Sequence, residues 1–215
     1  MKVILSGYEG SKVILEKSSF LLNKYMAGFD IRFINFGEYT GNLYCGKYVN
    51  VGKTQLGGVQ SWSKYVREYL MRLADEKVIY SLDDFLISTS PKDYDTILNA
   101  MDSETVCARL CVNDFYKPHE KEDMGNGLFR LTPKAEYSVT CQYSIWNREY
   151  LISLLERVHT PWEFEIDGSK ILNKEGRKVI AANWTCIEYL DTSALSARWE
   201  GIRLSDKNKE DLCGI

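Results

Sequence analysis

Apolar positions along this chain change rhythm several times. Short β-branched and aromatic runs, the signature of strands, alternate with stretches whose apolar residues recur three and four apart, the signature of helices. Val3, Ile4 and Leu5 form one short run closed by Ser6-Gly7. From Ser11, Ile14, Leu21 and Tyr25 fall along one helical face that Gly28 ends, and Ile31 to Phe36 reads as a second strand. The opening is therefore a β-α-β unit, whose parallel strands require a crossover helix. Residues 37 to 60 hold six glycines and little periodicity, and are expected to be a long irregular segment, placed to act as a lid. Ser61 then caps the clearest helix, with Trp62, Tyr65, Val66, Tyr69, Leu70 and Leu73 on a single stripe.

The stretch from Glu76 to Phe85 holds the next strand, which is expected to end at Asp83, with Asp83-Asp84 where it leaves the sheet. Ser90-Pro91 with Asp93 predicts a helix start with proline in its first turn, and Ile97, Leu98 and Met101 face inward. Thr105 to Cys111 predicts a strand, residues 113 to 127 a charged and glycine-containing loop, and strands follow through Phe129 and near Tyr137 to Gln142. A helix is expected around Glu149 to Leu155, a polar turn at Gly168-Ser169, and an apolar segment from Val179 to Leu190 before a polar tail. The alternating first half and strand-rich second half predict an α/β domain with a mixed central sheet flanked by helices.

At 215 residues and 45% apolar, the chain suits a single domain over 1–215. A net charge of −3 gives no general attraction to nucleic acid or anionic membranes. No apolar run is long enough to span a bilayer, and the apolar amino terminus is too short for a signal peptide, so a cytoplasmic protein is expected. The polar stretch from Ser205 to Leu212 would suit a linker to a further domain. Six cysteines lack any Cys-x-x-Cys pair and only His119 and His159 could assist them, which argues for reduced core thiols over structural zinc.

The sharpest chemical feature is Asp83-Asp84. Two adjacent carboxylates where a buried strand leaves its sheet are poorly placed for core packing and well placed to hold Mg2+ or Mn2+. Such ions usually accompany a phosphorylated ligand. The loop after the first strand offers Ser6, Gly7, Tyr8 and Gly10, whose backbone amides and aromatic ring suit a nucleotide, although the full dinucleotide fingerprint is missing. Glu163, Glu165 and Asp167 are candidate general bases, and the aromatic neighbours Trp162 and Phe164 of the two glutamates would desolvate a carboxylate. The plain alternative is a helix start whose acidic residues complement the dipole.

Three segments in order carry a family resemblance: Trp62-Ser63 leading to Asp83-Asp84-Phe85, then Gln142 to Leu151 (QYSIWNREYL), then Pro161 to Ser169 (PWEFEIDGS). Together they resemble the GT-A-fold glycosyltransferase-like proteins of surface-polysaccharide synthesis, found in bacteria and in large viruses that decorate their capsids with glycan. The resemblance implies a nucleotide-sugar donor, UDP-hexose in the first instance, held by residues 1–112 with metal at Asp83 and Asp84. It implies a glycan acceptor site in residues 113–215, with contacts at Gln142, Trp162 and Asp167 and the base at Glu163 or Glu165, in an inverting transfer. For a viral member, the compartment would be the host cytoplasm. One departure is that the usual Asp-x-Asp metal motif has Phe85 in its last place. A sugar nucleotidyltransferase is the enzyme alternative, although Tyr8-Glu9-Gly10-Ser11-Lys12 is a weak version of its glycine-rich loop. A catalytically silent glycan-binding module is the alternative from another class.

Overall fold

The computed structural model describes residues 1–7, 12–53, 58–111 and 116–191. Its first strand, β1 (Lys2–Ser6), is followed by α1 (Lys12–Tyr25) and β2 (Asp30–Asn35), the predicted β-α-β unit. Next come β3 (Lys47–Asn50), α2 (Trp62–Leu70), β4 (Lys77–Leu82), β5 (Phe85–Ile87), α3 (Tyr94–Asn99) and β6 (Thr105–Arg109). The later half adds β7 (Lys121–Gly125), β8 (Leu128–Leu131), β9 (Ser144–Asn147), α4 (Arg148–Leu155), α5 (Pro161–Lys174), β10 (Lys178–Ala182) and β11 (Tyr189–Asp191).

Nine of these strands form one mixed sheet in the order β3-β2-β1-β4-β9-β6-β10-β8-β7, and β5 pairs with β11 in a separate ribbon. β1 is parallel to both β2 and β4, while β9 runs antiparallel between β4 and β6. The carboxyl ends of β1, β2, β4 and β6 consequently share one edge. Val3, Ile4 and Leu5 lie beside Ile79, Tyr80 and Ser81, all buried on both faces of the sheet, which is why these strands read as unbroken apolar runs.

Right-handed crossovers in opposite directions put α1 and α2 on opposite faces. The α2 face also carries α4 and α5. Ser63 N–H donates to the His159 carbonyl, and Ser63 Oγ to that of Val158. Fully buried Phe164 of α5 meets Trp62 at 5.6 Å, Trp146 at 5.7 Å and Tyr80 at 6.3 Å between ring centroids. Burial of such a ring stabilises the packed helix by about 2 to 3 kcal/mol. Among the described residues, no helix is long and apolar enough to cross a membrane.

Several sequence expectations are corrected. The 37 to 60 segment contains β3, joined to the edge of β2, with Tyr48 OH donating to the Phe36 and Gly37 carbonyls. β7 lies within the supposed loop at 113 to 127, turned back by Asn126 and Gly127, both at positive φ as a two-residue hairpin requires. The strand expected near 137 to 142 lies further on, at β9. Helix α3 starts at Tyr94, with left-handed Asp93 before it, so Pro91 is outside its first turn. Ser61 precedes α2 without a side-chain cap bond. Gly168 and Ser169 sit within α5, not in a turn. A Cβ on Gly168 would touch Val139 and Leu154 at ordinary contact distance, and Ser169 Oγ accepts the Val139 N–H at 2.9 Å, so packing overrides local turn preference here.

Candidate active site

The sheet has a topological switch between β1 and β4. From β1 the chain crosses by α1 to one side, and later returns by α2 to β4 on the other side, leaving a crevice above the carboxyl ends of these two strands. Ligands of open α/β sheets bind in such crevices. Here the crevice is a cavity of about 410 Å³ lined by Ser6 and Gly7 at the end of β1, Val59 and Trp62 before and in α2, Leu82 to Phe85 from the end of β4 to the start of β5, and Cys141, Pro161, Trp162 and Glu165.

Asp83 N–H donates to the Ser6 carbonyl at 3.0 Å, and Leu82 N–H to that of Cys141 at 3.0 Å, so the acidic turn is fixed from both flanking segments. Asp83 is 2% exposed and Asp84 half-buried. Across the cavity, Glu165 Oε1 accepts the Cys141 N–H at 2.8 Å and the Thr140 hydroxyl at 3.1 Å. Both bonds fall on one oxygen, and Oε2 is the atom available to a ligand. Beneath the site, Ser6 Oγ and the Tyr80 hydroxyl share a 2.5 Å hydrogen bond, and Trp62 Nε1 donates to the same Ser6 oxygen at 3.2 Å.

Electrostatically the cavity is acidic. Burial pushes the Cys141 thiol far above the usual thiol range, and the nearby charges of Glu165 and Asp84 push it further the same way. Tyr80 and Tyr143 are likewise raised, first by burial and then by neighbours that include Asp83 and Asp84. Asp83, Asp84 and Glu165 all line this one cavity, a setting that favours cations. Among the described residues, no cluster of three or more His, Cys, Asp or Glu gathers as a metal cage. Two hard carboxylates still fit Mg2+ or Mn2+, which commonly complete their shells with water and ligand phosphates.

The sequence candidates separate accordingly. Ser6, Gly7, Asp83, Asp84, Trp162 and Glu165 meet in the cavity, whereas Tyr8 and Gly10 lie outside the described residues. Glu163 points its carboxylate back to the His159 N–H at 2.8 Å, while its own N–H donates to Thr160 Oγ1, the arrangement of a helix start. Asp167 pairs with Lys170 on the outer side of α5. Gln142 is held between Arg109 Nη2, which donates to its Oε1 at 2.9 Å, and Tyr189 OH, which accepts from its Nε2 at 2.6 Å. Neither Gln142 nor Asp167 lines the cavity. Cys141, Val59 and Pro161 line the cavity without having been candidate site residues; Pro161 opens the PWEFEIDGS segment and Cys141 directly precedes Gln142, which were the signals available.

No protein-family model matches the chain, and no curated protein matches its sequence. Solved structures do match its shape. The galactosyltransferase LgtC, determined in complex with donor and acceptor sugar analogs, aligns over 100% of this chain and 95% of its own, with 12% identity and a TM-score of 0.54. The mannosyltransferase PcManGT from Pyrobaculum calidifontis, in complex with GDP-Man and Mn2+, aligns over 94% of this chain and 58% of its own, with 15% identity and a TM-score of 0.54. The CMP:2-keto-3-deoxy-manno-octonic acid synthetase complexed with CTP aligns over 90% and 93%, with 12% identity and a TM-score of 0.52. The fold is GT-A-like. In this GT-A-like frame the cavity draws on both halves of the chain: the ends of β1 and β4 supply the acidic wall, and the start of α5 supplies the opposite one.

Proposed function

We propose that the chain is a glycosyltransferase that moves a sugar, in the first instance a hexose from a UDP donor, onto a glycan acceptor of the surface-polysaccharide or capsid-glycan kind. The observation that carries this reading is the meeting, in one cavity at the switch point, of Asp83 and Asp84 with Glu165 and Trp162. The GT-A-like fold supports it, since the solved glycosyltransferases above share that frame. Residues 1–112 hold the donor in this reading, and residues 113–215 the acceptor, within one domain.

Transfer breaks the bond between the anomeric carbon and the diphosphate oxygen and forms one from that carbon to an acceptor hydroxyl oxygen. Asp83 and Asp84 would hold a divalent cation, which when bound offsets the charge that grows on the departing diphosphate. Glu165 takes the acceptor proton through Oε2, while its Oε1 bonds to Cys141 and Thr140 fix the carboxylate in place. The Ser6 and Gly7 backbone borders the nucleotide, and Trp162 offers its indole face to a sugar ring at the cavity mouth. Of the two candidate glutamates, Glu165 is the favoured base in this reading, because the Glu163 carboxylate is engaged at the helix start.

The decisive experiment is a thermal-shift panel of UDP, GDP and CMP with their sugar forms, with and without Mn2+, on the wild-type chain and on Asp84→Asn. Metal-dependent stabilisation by a nucleotide sugar, lost in Asp84→Asn, is expected. Equal stabilisation of both proteins would refute the metal role. Release of pyrophosphate from a nucleoside triphosphate and a sugar or sugar phosphate, without transfer to glycan, would assign the site to nucleotidyl transfer instead.

A further inference from the structure

Outside the cavity, α5 carries an exposed strip that the packing of the helix does not require. Trp162 is 64% exposed and Ile166 45% exposed, one turn apart on the same helix face, and Lys170 continues the strip by another turn. Beside it lies a second concavity of about 370 Å³, lined by Lys134, Glu136, Tyr137, Ile166, Lys170 and neighbouring atoms. The ring of Tyr137 is 38% exposed there.

Its backbone is held from beneath. The Tyr137 carbonyl accepts from Arg109 Nη1 at 2.9 Å and from Tyr116 OH at 2.7 Å, and Asn173 Nδ2 donates to the Ala135 carbonyl at 2.8 Å. An aromatic ring displayed to solvent from a fixed backbone is pre-organised for a ligand, since little further ordering is needed on binding. Trp162 borders the catalytic cavity as well, so strip and cavity are continuous. The helical rise puts Lys170 about 12 Å along the axis from Trp162. A single sugar ring is shorter than that span.

We infer that this strip is an extension subsite for an oligosaccharide acceptor, holding the sugars behind the one that reacts. The inference rests on the glycosyltransferase reading for the identity of the cavity it continues. Trp162, Ile166 and Tyr137 offer flat or apolar surface to the C–H faces of pyranose rings, and Lys134, Glu136 and Lys170 offer hydrogen-bond partners to their hydroxyls. Charges of both signs alternate along the strip, with Asp167 paired to Lys170, which suits a neutral polyhydroxylated chain better than an anionic lipid surface.

The test measures binding of maltohexaose, cellohexaose and chitohexaose and of their monosaccharides to the full chain by saturation-transfer NMR, with a UDP thermal shift on each protein. At least one hexasaccharide is expected to bind about tenfold or more tightly than its monosaccharide. Tyr137→Ala and Ile166→Asp should each remove about three- to tenfold of that gain, the effect of one lost stacking or apolar contact, while the UDP shift persists. Absence of any length dependence, or its survival in both variants, overturns the subsite. Capture of the chain by phosphatidylglycerol vesicles, lost in the same variants and without length-dependent sugar binding, overturns it in favour of a lipid-facing strip. Length-dependent sugar binding in a chain that binds no nucleotide supports the strip while removing the transferase reading.

Discussion

Ser6→Ala tests the framework beneath the acidic turn. The Ser6 hydroxyl is fully buried and serves two groups that are buried themselves, the Tyr80 hydroxyl and the Trp62 indole N–H. Deleting it leaves two polar groups in the core without that partner, at about 1 to 3 kcal/mol each, so a loss of about 2 to 6 kcal/mol is expected. Tyr80→Phe removes the phenol yet keeps the serine as acceptor for Trp62, and should cost only about 1 kcal/mol. In the double variant the tyrosine no longer has a hydroxyl to strand. Its loss should therefore fall short of the sum of the singles by about 1 to 2 kcal/mol. Urea unfolding followed by tryptophan fluorescence gives all four stabilities, and Trp62 itself reports on the network. A Ser6→Ala loss below about 0.5 kcal/mol, or strict additivity, would refute this reasoning, since the first means that no buried group depends on the serine and the second that the Tyr80 hydroxyl does not. Because Ser6→Ala keeps the backbone carbonyl that accepts the Asp83 N–H, metal-dependent nucleotide binding should persist in the folded variant.

Glu165→Gln should retain its fold, since an amide oxygen can still accept from Cys141 and Thr140, while transfer falls about a hundredfold or more; transfer within threefold of wild type in a coupled assay sinks the base assignment. Glu163→Gln should do the reverse, keeping transfer and losing about 0.5 to 1 kcal/mol in urea unfolding through the weakened bond to His159 N–H. Asp102 accepts from Lys178 Nζ at 2.6 Å and from Thr105, partners that hold its carboxyl down at about 2. A folded pKa below the unfolded value of about 3.9 contributes stability above that value and loses it as pH falls toward about 2. Asp102→Ala should therefore be less stable by about 1 kcal/mol at pH 7, with the gap to wild type closing between about pH 4 and pH 2; an undiminished gap in acid denaturation curves would contradict this. Burial raises the thiols of Cys107, Cys111 and Cys141, so mass-spectrometric mapping of iodoacetamide adducts at pH 8 should find these sites protected until the chain unfolds.

What the sequence disclosed depends on how locally each feature is encoded. The middles of β1 and β4 are buried on both faces, so Val3 to Leu5 and Val78 to Tyr80 read as continuous apolar runs and the carboxylates after β4 stand out. β7 has the opposite character: Lys121 to Gly125 is exposed throughout, and only its register with β8 makes it a strand. Its Asn126-Gly127 turn was the legible clue. β3 is a four-residue edge strand paired on one side, too short to show a period. The burial of Arg109 could not be read at all, because its partners are the Tyr137 carbonyl and Gln142, about 30 positions away, and its Nε remains buried without a hydrogen bond.

The base assignment turns on the same distinction between composition and phase. Glu163 and Glu165 share aromatic neighbours in sequence, and that composition gives no reason to prefer either. Two residues along a helix, however, amount to about 200° of rotation, which sends the two carboxylates to opposite sides. Once Thr160 starts α5 and Phe164 must reach the Trp62, Tyr80 and Trp146 rings, the phase is fixed. Glu163 is then carried back to the helix start and Glu165 to the cavity opposite Asp84. The capping threonine and the buried phenylalanine thus select which glutamate is available for chemistry, and shifting the helix start by two residues, about 200° of phase, would exchange the selection along with the core.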